Sequence, residues 1–296
     1  MEKPDTTPVP GSLVSRSAVT AATLVYSAPT PGCGSRYLDG RVAHEARVLS
    51  AFAIGGALAA AENGVGETVF AASRAAMDLA GFADARVCAY LAPPARAALL
   101  GEPVGRVLAR LDHHDIAPFV RALELAGQDA PLAGALRYAI GAGPEATLRD
   151  AMRFAAGRDA LAREYARGFE VTRELARPAL LSALSRTDSI RGVLVQAYLE
   201  VLSEVPDLDV AARAGRGEAE AVARMATGVL KAGGVHSRRG LEGIANLDGL
   251  LRAAGRLAPT ATEPPVIAAT FLVALEYGPD ALNHRLRPAT DTDRSR

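Results

Sequence analysis

From Ser12 to Tyr277 apolar residues recur every three or four positions, the period of an α-helix. No stretch of useful length alternates apolar and polar residues as a half-buried strand does, and β-branched clusters are few. This periodicity predicts an all-α fold, a single compact domain of ten or more helices. Helical patterns run over 12–28, 42–61, 67–81, 85–101, 189–204, 207–214, 217–232, 238–256 and 263–277. Further starts are marked by Pro103 and by the run that ends at Gly127. Pro93-Pro94 is expected to break the 85–101 run, and Pro178 to kink or part the long 144–184 pattern. Residues 28–40, dense in Pro and Gly, read as a long loop. Segments 1–11 and 287–296 are expected to be disordered tails around a domain at 12–286. No repeat of fixed period is visible, which favours a bundle over a solenoid.

Composition narrows the function classes. The 296 residues are 49% apolar, enough for a sizeable core. Lys+Arg and Asp+Glu are 33 each, so the chain lacks the basic footprint of a nucleic-acid binder. Only Lys3 and Lys231 are lysines, so no central lysine is available for a phosphate loop or a Schiff base. Cys33 and Cys88 lack the spacing of a zinc site and are expected to be reduced. The N-terminus has no basic region followed by an apolar core, and no apolar run reaches the ~18 residues of a membrane span. A soluble, cytoplasmic protein is expected.

Few residues stand out as chemistry. The glycine pairs at 55–56 and 233–234, and Gly141 with Gly143, follow no strand, so they read as helix interiors and ends rather than nucleotide loops. His113 and His114 are adjacent and diverge on a helix, which makes a shared metal unfavourable; Asp112 or Asp115 reads as the next N-cap. His44 opens a helix that is apolar over most of its surface. In 155–170, Arg158, Asp159, Arg163, Glu164, Tyr165 and Arg167 share one helical pattern, with Asp159 and Arg163 at ion-pair spacing. Arg158 borders its apolar stripe and needs an anionic partner. In "SEVPDLDVAARAG" (203–215), Pro206 stops one helix and Asp207 is placed to cap the next; Asp207 or Asp209 could alternatively hold Mg2+ for a phosphate.

The span from about Arg106 to Gly278 resembles the triphosphoribosyl-dephospho-CoA synthase family in three blocks. "LRDAMRFAAGRDALAREYARGFE" is similar to its A-A-x-R-D block, through Ala155, Ala156, Arg158, Asp159, Ala162 and Tyr165. "YLEVLSEVPDLDVAARAGRGEAEAVARMATGVLKAGG" resembles the block with a V-P-D step, an arginine (here Arg213) and a helix closing on Gly-Gly. "SRRGLEGIANLDGLLRAAGRLAP…IAATFLVAL" resembles the C-terminal helix pair. The resemblance implies an all-α enzyme that uses ATP and Mg2+ to move a triphosphoribosyl unit onto dephospho-CoA, expelling adenine. That reaction is displacement at an anomeric carbon through an oxocarbenium-like transition state. By this resemblance Asp207 and Asp159 are the acids, with Mg2+ on Asp207, and His44 is an acid/base. Arg158 holds phosphate, and Arg213 and Tyr165 are expected to bind substrate.

The chain departs from the family at its loops. Thr30 stands where a P-K-P-G lysine would be, and Ala46 where an A-H-x-D acid would be. "AGFADARVCA" replaces a Gly-Gly-Asn-Thr loop, and "LAPTATEPPVIAA" (257–269) lacks the glycine and acid of N-P-G-T-T-A-D-L. Three functions are therefore open: a family-type transferase on a phosphorylated substrate, an enzyme or subunit in synthesis of the one-carbon carriers tetrahydromethanopterin or methylofuran, or a non-catalytic helical partner. A homodimer or a partner enzyme fits any of them.

Overall fold

A computed structural model describes residues 7–279, except 39, 129 and 130, together with residue 282. The expected tails at 1–6 and 287–296 lie outside the described residues. Residues 7–11 lie inside them: the Val9 amide donates to Ala98 O, and the first helix begins at Gly11. All regular structure among the described residues is helical.

The first half comprises α1 (Gly11–Ser27), α2 (His44–Leu58), α3 (Val65–Ala80), α4 (Ala85–Leu100), α5 (Val104–Ala109), α6 (Ile116–Leu125) and α7 (Pro131–Gly141). The second comprises α8 (Leu148–Ala155), α9 (Ala160–Arg167), α10 (Arg177–Arg186), α11 (Ile190–Glu204), α12 (Leu208–Ala214), α13 (Arg216–Lys231), α14 (Arg238–Ala254) and α15 (Glu263–Tyr277). Helix α15 is buried on all sides from Glu263 to Phe271, and α1, α4, α10 and α11 pack around it. Helices α2, α3 and α6 extend the bundle from α1, and α12–α14 extend it from α11. The core is one continuous cluster holding Tyr26, Leu91, Phe119, Phe169, Tyr198 and Phe271. Each such side chain contributes roughly 1.5–3 kcal/mol by burial.

Two expectations about breaks are corrected and one holds. Helix α4 runs straight through Pro93 and Pro94. Proline lacks the N–H that would bond the carbonyl four residues back, so Pro93 frees Ala89 O. The Tyr165 hydroxyl donates to that oxygen at 2.7 Å, so the buried carbonyl keeps a partner and the helix survives. Pro178 parts the pattern as expected: it lies in the first turn of α10, directly after a wide π-turn at Val171–Ala176. The 144–184 pattern is thus three α-helices and a π-turn. Its first break falls at Asp159, which caps α9 with Oδ1 accepting from Ala162 N at 2.9 Å. Arg158 and Asp159 therefore precede the helix rather than riding on it.

Candidate functional site

Helix starts and loops from distant parts of the chain meet at one place. Asp207 is the N-cap of α12, as its position after Pro206 predicts, and it is 2% exposed. Its Oδ1 accepts from Asp209 N and Val210 N, both at 2.9 Å. Its Oδ2 reaches the 257–262 loop, accepting from Ala261 N at 2.9 Å and Thr262 Oγ1 at 2.8 Å. One carboxylate thus caps a helix and ties down a loop about fifty residues away. Burial and the neighbouring Asp209 charge push Asp207 up to about 6, against the pull of its donors.

Arg86, in the first turn of α4, joins this centre to α9. Its Nη2 donates to Asp159 Oδ2 at 2.8 Å and its Nη1 to Asp209 Oδ2 at 2.6 Å. The three side chains are 15%, 0% and 17% exposed, so the pairing is largely out of water. Burial works against the Arg86 charge, but Asp209 and Asp159 outweigh it and hold the guanidinium charged. Burial also opposes ionisation of Asp209, and there the Arg86 charge and hydrogen bonds win, keeping that carboxyl below its usual range. Thr260 Oγ1 donates to Asp209 Oδ2 at 2.7 Å. Arg213 braces the same loop through Thr260 Oγ1, Arg256 O and Ala258 O. Asp84 caps α4 by accepting from Val87 N, and also accepts from Gln128 Nε2.

Beyond Thr262 comes Glu263, which is buried and forms an ion pair with Arg47 of α2. Arg47 also donates to Gly34 O at 2.7 Å and lies 4.0 Å from the centroid of the Tyr26 ring. Burial raises the Glu263 carboxyl, Arg47 opposing. The 28–40 loop is held from its other side: Gly32 N donates to Asp248 Oδ1 at 2.8 Å, and Arg252 bonds Cys33 O. Gly32 has φ +79°, and a Cβ there would meet Pro259 Cδ at 2.9 Å, so the 28–40 and 257–262 loops touch.

Of the residues expected at a site, the structure brings Asp207, Asp159 and Arg213 into one network. His44 stands one turn before Arg47, with a buried Nδ1 that has no partner. Arg158 is exposed beside Asp159. Tyr165 is a core residue, 4% exposed and edge-on to Phe119 at 6.0 Å. The anticipated Asp159–Arg163 pair gives way to Asp159–Arg86. Sequence reasoning missed Arg86, Asp84, Arg47 and Glu263. A signal existed for the two arginines, since a charge inside an apolar helix run must find partners. For Glu263, the 257–269 loop does carry an acid, although displaced from the family position.

A small crevice opens beside Asp207, lined also by Tyr90, Arg163, Glu164, Thr262 and Pro265. Glu164 is buried there and accepts from Val171 N and Thr172 N, capping the π-turn. Burial raises its carboxyl, and the Thr172 bonds pull it down. A wider cleft, about 240 Å³, lies between Glu67, Arg96, Arg110 and His114 and includes none of the expected site residues.

The donor set does not suit Mg2+, which needs near-octahedral oxygens with lone pairs to give. Asp207 already accepts four hydrogen bonds, filling the roughly four lone-pair sites of a carboxylate. Among the described residues, no group of three or more His, Cys, Asp or Glu side chains is placed to hold a metal ion.

Fold and site together define an all-α bundle in which the N-termini of α4, α9 and α12 meet the 257–262 loop. The chain belongs to the CitG family, ATP:dephospho-CoA triphosphoribosyl transferase, whose model matches residues 12–281. The fold is similar to a crystal structure from Archaeoglobus fulgidus assigned as a triphosphoribosyl-dephospho-CoA synthase. That match has TM-score 0.60 and 23% identity, covering 77% of this chain and 98% of the other. No curated protein matches the chain. These findings give no support to one-carbon-carrier synthesis or to a non-catalytic partner. Among the described residues, no helix is long and apolar enough to cross a membrane.

Proposed function

We propose that the chain is a triphosphoribosyl-dephospho-CoA synthase-type transferase acting on ATP and dephospho-CoA, or on phosphorylated substrates of the same class. The observation that carries this reading is the convergence of two family blocks, at Asp159 and at Asp207, with the 257–263 segment on one hydrogen-bonded centre. Displacement at an anomeric carbon builds positive charge on the sugar, and a preorganised anion nearby stabilises it. Asp209 suits that role: it is held ionised by Arg86 and keeps part of its surface in solvent. Asp207 holds the 257–262 loop against α12 and so sets the geometry of the centre. His44 is the candidate to take the acceptor hydroxyl proton, and the exposed Arg158 the candidate for phosphate oxygens.

The test is to incubate the pure chain with ATP, Mg2+ and dephospho-CoA and to follow free adenine by chromatography. Adenine release that depends on dephospho-CoA and falls at least tenfold in Asp209→Asn is expected. No adenine, together with no heat of ATP binding in calorimetry, refutes the reading.

A further inference from the structure

Five carboxylates gather around the loops: Asp84, Asp159, Asp207, Asp209 and Glu263. Buried carboxylates are either paired with positive charge or coordinate a metal. Here the chain supplies the offset itself. The Arg86 guanidinium sits between Asp159 and Asp209 with one nitrogen on each. The Arg47 guanidinium sits between Glu263, Gly34 O and the face of Tyr26. Asp84, Asp159 and Asp207 each cap a helix, so the positive ends of α4, α9 and α12 are turned on the cluster. An arginine cannot relieve the crowding by losing its proton, so these positive charges are permanent. For a divalent ion to enter, a guanidinium that is 15% or 10% exposed would have to leave its carboxylate.

We propose that this acid cluster is metal-free by construction: Arg86 and Arg47 occupy the positions where a divalent cation would sit, and the carboxylates hold the loops without one. The proposal concerns the carboxylates alone and is independent of whether the chain transfers a triphosphoribosyl unit. Mn2+ bound in solution to ATP phosphates is a separate matter, so the test uses metal without nucleotide.

Mn2+ is titrated into the full chain, freed of metal with a chelator, and the free ion is counted by electron paramagnetic resonance. The wild type is expected to bind no Mn2+ in the micromolar range and to melt at the same temperature with Mn2+ or with chelator. Arg86→Met leaves Asp159 and Asp209 facing each other without a cation. It is expected to gain Mn2+ binding, and a melting temperature that rises by several degrees on adding the ion. If Arg86→Met does not fold, the wild type and Asp209→Asn decide the matter. One equivalent of Mn2+ held by the wild type at micromolar Kd, and lost in Asp209→Asn or Glu263→Gln, overturns the proposal. Binding that survives both substitutions lies elsewhere and leaves the cluster as proposed.

Discussion

Replacing Arg86 by Met isolates the charge that joins α4 to α9 and α12. The substitution keeps an unbranched stem but removes the guanidinium, and with it one charge that two buried carboxylates share, Asp159 with none of its side chain exposed and Asp209 with 17%. Removing one partner of a buried pair costs about 3–5 kcal/mol, because the charge left behind has lost its solvent and its counter-ion. For a chain of this size that corresponds to a fall in melting temperature on the order of 10 °C. Two controls separate charge from packing. Arg86→Lys keeps the charge but cannot bond both carboxylates at once, so it should lose less than Met and more than nothing. Asp159→Asn in the Arg86→Met background should recover part of the loss, since it removes one stranded charge. The pH dependence has a definite sign. In the wild type Asp209 is held below its unfolded value, so its stabilisation is present above about pH 4 and is lost as pH falls through the depressed folded value. In Arg86→Met the Asp209 carboxyl loses the charge that opposes burial and rises instead, so the deficit relative to wild type shrinks as the pH is lowered toward 4. Urea unfolding from pH 4 to 8 measures both. A loss under 1 kcal/mol, or one that is flat with pH, would falsify the view that these carboxylates are paired out of water.

Further expectations follow from the same geometry. Asp207, raised to about 6 from 3.8, binds a proton more readily folded than unfolded, so its contribution to stability falls by up to ~3 kcal/mol as pH climbs from 4 to 6. Asp207→Asn should flatten that slope and lower stability by about 2–3 kcal/mol, since an amide cannot accept from all four donors. Tyr165→Phe should cost about 1–3 kcal/mol by leaving the Ala89 carbonyl without a donor beside Pro93. It should leave the KM for any substrate unchanged, and a rise in KM without loss of stability would return Tyr165 to the binding surface. Gly240→Ala should destabilise by several kcal/mol, because a Cβ there would stand 2.0 Å from the Gly234 carbonyl oxygen, a backbone atom that cannot swing away. Normal thermal stability in that variant would show the α13–α14 turn to be slack.

Helical period and cap chemistry carried much of the architecture. Apolar spacing placed α1, α3, α11, α13 and α15 to within a few residues, because each helix needs a buried stripe and the stripe is written locally. Asp207 was legible as a cap because a proline and an Asn/Asp-type residue at a helix start act over four positions. The resemblance in the blocks around Arg158–Asp159 and Val205–Asp207 pointed to the family that the match over 12–281 establishes.

What the sequence alone could not decide was partnership across distance. Pro93-Pro94 reads as a break because nothing within α4 can replace the lost backbone bond; the donor that rescues Ala89 O comes from Tyr165, seventy-six positions away. That same contact places Tyr165 in the core, where its block had suggested a ligand. Asp159 looked paired to Arg163 because i,i+4 spacing is the only geometry a linear pattern offers. Folding instead delivered Arg86 from another helix. Glu263 and Arg47 are 216 positions apart and neither has meaning without the other. Caps and stripes depend on neighbours in the chain, so the sequence determined them. The charge balance of the site depends on which helix starts meet, and only the tertiary packing of α2, α4, α9, α12 and α15 set that.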